Sequence, residues 1–487
     1  MISIPKVGKL VLVPLMVVWL AGCAGTRTVN HEEAKAHLEL SDYKQYAQRY
    51  LGRDGKPSYD KSSLLDALEA GKAFNDAGMW KESVEAFDAA ESLMLWKADT
   101  VDTPAEVANL LGTTLTSDAF GAYQGKIYQG GLIDYYQTIN MLMLGNESDA
   151  RVSFNRLEVR QDNALAQFKA YSDTVNESVK EGLDDDESLF SAKSIKEAGG
   201  ELKAGTENLP TGLKNAKIRN AAGDVMSAVF RASSSAQQDK RSNASADSLK
   251  RAGSSSASSG GLSLVKQLQR DLRRGRGALS DKVIVLYEDG MGPSLSEFRI
   301  DLPLFIMTDK VTYTGIALPR FETGKPSYGA LKLGAGKKQV QTVVLTDINE
   351  LAGLEFNAGY QGVVTKAVIS TVIKTAAQAV INHQIDNQTG GGLLGDVLKL
   401  GVGAAQYALT KADTRAWANL PNTIQMAVID RPKDNVLTIE GMTQGAESRV
   451  DLPEGENVLV VVKAAGLAGK PAVYAQSLPA VEQVAGL

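Results

Sequence analysis

Apolar positions recur along this chain in two periods, and the change from one to the other divides it. From Leu64 to about Tyr171 they fall every three to four residues, the spacing of a helix that buries one face. Before that, residues 24–60 are polar, with Tyr43, Tyr46 and Tyr50 at helical intervals, and read as a tether leading into the first helix. Residues 262–276 predict an amphipathic helix: Leu264, Val265, Leu268 and Leu272 share one side, and Lys266, Arg270, Arg273, Arg274 and Arg276 take most of the other. Strand patterns follow. Residues 283–287 form a fully apolar run, 297–305 alternate with Phe298, Ile300, Leu302 and Leu304 on one side, and 311–318 are rich in β-branched and aromatic residues. A long helix is expected from Asp347 to about Gln384, a break at Gly390–Gly392, and a second apolar helix over 393–409. Four short strands, 424–429, 436–439, 458–462 and 472–477, complete the chain.

Within the first helical region Gly71, Phe74, Gly78, Ser83, Phe87 and Ala90 occupy the small, aromatic and turn positions of a tetratricopeptide-like helix pair. The same phase returns at Gly145, Ala150 and Phe154, about twice the 34-residue repeat from Gly78, with a degenerate unit around Gly112 between them. Residues 231–261 hold 11 serines and end in Gly260-Gly261, a composition that predicts a flexible linker. The expected architecture is therefore α+β and multidomain. It has a tetratricopeptide-like α-solenoid over 61–230, the serine-rich linker over 231–261, and a C-terminal mixed sheet with an inserted helix pair over 262–487.

The first 23 residues change the picture of where this body resides. Lys6 and Lys9 precede an apolar run, residues 11–20, too short for a bilayer core that needs about 20 residues. Leu20-Ala21-Gly22-Cys23 then matches a bacterial lipobox, in which the chain is cut before a cysteine that takes a diacylglyceryl thioether and further acyl groups such as palmitate. Cys23 is the only cysteine of the 487 residues. The expectation is a signal peptide over 1–22, a lipidated Cys23, and a tether over 23–60. Ala24 in place of aspartate favours outer-membrane sorting with the body in the periplasm.

Composition narrows the chemistry. One cysteine excludes a disulfide framework and cysteine-based metal sites, and three histidines, His31, His37 and His383, offer little for a metal centre. A net charge of −5 gives no general pull toward nucleic acid. No phosphate-binding Gly-x-x-x-x-Gly-Lys loop, Gly-x-Ser-x-Gly elbow or His-Glu-x-x-His pair occurs. Ser263 and Lys266 make a lone Ser-x-x-Lys, and Glu288-Asp289 ends an apolar strand beside a Gly-Pro loop, readable as a turn or salt bridge. Asp413, Arg415 and Trp417, between a helix end and a strand, are the strongest candidates for a structural keystone or a partner contact. No catalytic, cofactor-binding or metal-binding residue is assigned.

Three stretches together carry a resemblance. They are Tyr136 to Asn140 running through Gly145 to Ala150-Arg151 and Phe154-Asn155-Arg156; Tyr287 to Gly290 with Glu297 to Pro303; and Ala412 to Pro421. With them the chain resembles a family of uncharacterised proteobacterial outer-membrane lipoproteins with tetratricopeptide-like N-terminal helices. Its architecture is also similar to that of envelope lipoproteins that regulate peptidoglycan synthases. The resemblance implies a fold and a compartment, not a reaction; with the helical repeats, the expected function is a non-enzymatic scaffold in cell-envelope biogenesis or its regulation. Such a scaffold holds envelope proteins through its helical repeats and the membrane through its lipid. The alternatives are a protein that binds or processes peptidoglycan or another glycan, and a structural subunit of an envelope complex.

Overall fold

The computed structural model describes residues 36–95, 122–184, 203–233, 243–274, 279–301, 315–389, 399, 410–442 and 448–478. Cys23, the Gly112 unit and most of the second apolar helix expected over 393–409 lie outside them. The described chain is mixed α/β with three sheets.

Helix α1 (Tyr43–Gln48) buries Tyr43 and Tyr46, with Tyr50 following, against Ala70, Ala73 and Phe74 of α2 (Leu64–Asp76). Residues 36–60 are thus built into the fold from Leu38 onward, not a free tether, because three tyrosines at helical spacing supply an apolar face that α2 covers. Ser63 caps α2 by accepting from the Asp66 amide at 3.3 Å.

Two antiparallel hairpins follow. Helix α2 turns into α3 (Trp80–Leu93) through Gly78, at φ +75°, and α4 (Ile127–Met143) turns into α5 (Glu147–Asp184) through Gly145, at φ +72°. The small residues sit where the sequence places them. A Cβ on Gly71 would lie 2.7 Å from the Phe87 ring, and Ala90 and Ala150 are fully buried.

Helices α6 (Ala221–Ser233), α7 (Ala244–Ser255) and α8 (Ser259–Arg274) then return the chain to the sheets. The serine-rich stretch expected as a linker is helical over most of its described residues, 231–233 and 243–261, with a break at 256–258. Leu249 and Ala252 within it are buried, and they join Leu264, Val265 and Leu268 of the amphipathic helix that follows. The serines are absorbed locally or across helices, as when Ser248 Oγ donates to Glu158 Oε1 at 2.8 Å and Ser258 Oγ to the Val344 carbonyl at 2.6 Å.

The central sheet has the order β11 (Ala472–Leu478), β10 (Asn457–Ala464), β1 (Lys282–Asp289), β7 (Thr423–Asp430) and β6 (Val343–Asp347). All its pairs are antiparallel except β1 with β10. Its faces alternate by residue. Ile284, Leu286, Ile424, Met426, Leu459 and Val461 join the helical core, while Val283, Val285, Tyr287, Ala427, Ile429, Val458, Val460 and Val462 face the second sheet. That second sheet runs β5 (Lys338–Gln341), β4 (Lys332–Ala335), β8 (Val436–Glu440) and β9 (Ser448–Asp451). The result is three layers, helices on sheet on sheet, and it explains why β1 and β10 read as unbroken apolar runs. The hairpin β2 (Ser294–Asp301) with β3 (Gly315–Glu322) packs Ile300, Ile316 and Leu318 on α9 (Ile348–Thr389).

One core of buried residues runs through both halves, from Leu64 and Phe87 through Tyr136 and Ala150 to Leu286, Trp417 and Val461. The helical hairpins and the central sheet share it.

Candidate functional site

The junction between α2 and the central sheet gathers four buried charged side chains. Strand alternation turns Glu288 on β1 and Lys463 on β10 toward the helices, in line with Leu286 and Val461. The two are register partners in the parallel ladder. Helix α2 supplies Lys72 and Asp76, one turn apart on one side, with Asn75 beside them. All four charged side chains are at most 4 % exposed.

Lys72 pairs with Asp76 and lies 3.0 Å from Glu288 Oε2; Lys463 lies 2.7 Å from Asp76 Oδ1 and 3.6 Å from Glu288 Oε2. Two ammonium and two carboxylate groups balance, which is the condition under which charges persist away from water. The Tyr136 ring faces both cations, at 5.1 Å from Lys72 Nζ and 5.8 Å from Lys463 Nζ.

A polar spine leads from this cluster into the hairpins. Lys463 also donates to Asn75 Oδ1, and Asn75 Nδ2 donates to Asn140 Oδ1 at 2.7 Å. Asn140 Nδ2 donates to Ser83 Oγ at 2.9 Å, and Ser83 Oγ to the Gly71 carbonyl at 2.7 Å. Serine therefore stands at the α2–α3 crossing, where an alanine is expected in the repeat, because it closes this chain of donors.

Trp417 lies on the same wall. It is 1 % exposed, edge-on to Phe87 and Tyr136 with both ring centroids 6.0 Å away, and those two rings stack on each other at 5.7 Å. Its segment, residues 410–419, has no regular structure and is tied at several points. Arg299 Nη2 donates to the Thr410 carbonyl at 2.7 Å, the Ala412 amide to Glu297 Oε2 at 2.7 Å, and Asn419 Nδ2 to the Glu69 carbonyl at 2.9 Å. Burial pushes the Glu69 carboxyl up to about 7, although Tyr50 donates to it at 3.2 Å. Arg415 is half-buried, forms a bidentate pair with Asp413 at 2.9 and 2.8 Å, and lies 5.9 Å over the Tyr123 ring.

The three candidates read from the sequence therefore separate. Trp417 joins the buried junction, whereas Asp413 and Arg415 make a local pair at its rim. Glu288 and Asp289 also part: Glu288 enters the charge cluster, and Asp289 faces the other way. There it accepts from the Tyr287 hydroxyl at 2.6 Å and from the Ser327 and Tyr328 amides at 3.1 Å, fixing that loop. Ser263 donates to the Ser259 carbonyl of its own helix, and His383 Nε2 meets Asn387. Lys72, Asp76 and Lys463 are not found from the sequence. The available signals were a Lys and an Asp four apart on a helix otherwise rich in buried residues, and a single lysine ending the run Val458 to Val462.

Among the described residues no group of three or more His, Cys, Asp or Glu is arranged to hold a metal ion. A cavity of about 10 Å³, room for one water, lies between α4, α5 and Leu351. No described helix is long and apolar enough to cross a membrane. No family model, curated protein or solved structure matches the chain.

Proposed function

We propose that this protein is a non-enzymatic lipoprotein of the bacterial outer membrane, anchored through Cys23 and facing the periplasm, that acts as a scaffold for another envelope protein. The observation that carries the reading is Leu20-Ala21-Gly22-Cys23 behind a basic, short apolar leader, with no second cysteine in the chain. Two features are consistent with it. Leu40 and Leu467 are 54 % and 67 % exposed on adjoining loops, an apolar corner suited to lie near lipid. The hairpins α2–α3 and α4–α5 have the small and aromatic residues of tetratricopeptide-like pairs at their crossings.

The face of α3 and α4 that meets Trp417 is filled by the chain itself, so a partner needs another surface. Helix α5 offers Val152 and Val159, two turns apart on one side and 54 % and 49 % exposed. An apolar-faced helix or an extended peptide would fit that side.

Two measurements test the reading. Cys23→Ser is expected to leave the membrane fraction and lose the acyl mass; unchanged fractionation and mass would refute the anchor. A photo-crosslinking residue at 152 or 159 is expected to capture one envelope protein in intact cells, and the same residue at exposed Leu93 to capture none. Equal capture at all three positions would remove α5 as the docking side.

A further inference from the structure

We infer that the buried junction is a site of covalent self-modification, in which Lys463 Nζ and Asn75 Cγ form an amide that cross-links strand β10 to helix α2. The constellation is that of an amine, a carboxamide and a carboxyl group brought together in a dry, aromatic-walled space. Lys463 donates to Asn75 Oδ1. Asn75 is fully buried and Lys463 is 1 % exposed. The Asn75 amide is held in one orientation, because its Nδ2 donates to Asn140 Oδ1 at 2.7 Å and its oxygen is thereby left facing the amine. Glu288 is 2 % exposed and lies 3.6 Å from Lys463 Nζ. Neither of its oxygens has a hydrogen bond of good geometry among the described residues, although Lys72 Nζ also lies 3.0 Å from Oε2.

The step balances within these groups. The Lys463 ammonium passes one proton to the Glu288 carboxylate 3.6 Å away, which leaves two neutral groups beside the Lys72–Asp76 pair. The amine lone pair attacks Asn75 Cγ, and the carbonyl π pair moves onto Oδ1. The attacking nitrogen gives a second proton, relayed by the Glu288 carboxyl, to Nδ2. The Cγ–Nδ2 bond then breaks, Oδ1 returns to a carbonyl, and ammonia leaves as the neutral molecule. Glu288 ends protonated, and Lys72 with Asp76 remains as a balanced pair, so the junction stays neutral after the loss of one ammonium. No oxidant, cofactor or water enters. Exclusion of water protects the product from hydrolysis and holds amine and carboxamide in contact, the condition under which a slow amide exchange becomes an intramolecular one.

Mass spectrometry of the full-length folded protein decides the matter. Proteolytic mapping is expected to give a branched peptide that joins the segments around Asn75 and Lys463, lighter than their sum by one ammonia. Because the measurement is made on that peptide, the state of Cys23 does not enter it. Separate linear peptides carrying unmodified Asn75 and Lys463 would overturn the proposal. So would a link from Lys463 to Asp76, recognised by the loss of one water instead. Glu288→Gln is expected to keep Asn75 and Lys463 unlinked in whatever fraction folds, and a branched peptide in that variant would overturn the role of Glu288.

Discussion

Trp417 shows how much one residue can decide at a junction. Its ring closes a cage with Phe87 and Tyr136, and Trp417→Ala would open a void that the rigid helix hairpins cannot collapse to fill. The expected cost is about 3–5 kcal/mol, read as a lower denaturation midpoint at unchanged m-value. Arg415→Ala should cost under about 1 kcal/mol, since its bidentate partner is a neighbour in sequence and both groups reach solvent. Glu69 gives the junction a pH dependence. Its carboxyl is raised from 4.5 to about 7 by burial, with Asp66 adding to the rise and Arg49 and the Tyr50 hydroxyl opposing it. A raised acid binds its proton more tightly in the folded state, so its contribution is fully present below pH 4.5 and is lost as pH climbs through about 7. Stability should therefore fall between pH 5 and 8 by roughly 3 kcal/mol from this group, and Glu69→Gln should flatten that part of the profile. The importance of Trp417 was legible because a large aromatic beside a proline-terminated turn has few places to go but inward. The charge cluster was not, because Lys72 and Lys463 are 391 positions apart and only the fold brings them to the same two carboxylates.

At the scale of elements, the helix hairpins and the apolar strands were readable for a common reason: each buries a face whose period the sequence repeats. Strands β4, β5, β6 and β9 were not legible, because runs of four or five residues such as the largely exposed Lys338–Gln341 hold too little periodicity to detect. Helix α7 was not legible in the sequence, because its serine-rich composition hides the spacing of its few apolar residues. Leu249 and Ala252, buried on one side of α7, outweigh many serines when α8 and the sheet lie ready to receive them. Two helix contacts can be tested directly. Ala150 is fully buried at the α4–α5 approach, and Ala150→Leu should overpack it at about 1–3 kcal/mol. Glu355 of α9 caps α4 from outside, accepting from the Ile127 amide at 3.0 Å and the Tyr128 amide at 3.3 Å. Glu355→Ala would strip both donors of their acceptor in a buried place and should cost about 1–3 kcal/mol, measured by chemical denaturation.

For the whole molecule, the shared core sets the expectation that the described layers melt together. Far-ultraviolet circular dichroism and tryptophan fluorescence should report coincident thermal transitions, since Trp417 and the helices belong to the same packed unit. Limited proteolysis should spare residues 244–274, and early cleavage there would contradict the packing of α7 and α8 on β6. The helical part expressed alone as residues 36–230 should expose the wall that Trp417, Leu459 and Val461 cover, and should precipitate or bind hydrophobic dyes.

The parallel ladder between β1 and β10 carries a consequence for biosynthesis. Val283 pairs with Val458, so a strand that leaves the ribosome early waits through some 170 residues for its neighbour. A polypeptide halted anywhere in that interval keeps a bare, wholly apolar edge and a lone Glu288 with no second lysine to answer it. Truncated products that lack β10 should therefore be conspicuous to proteases and chaperones.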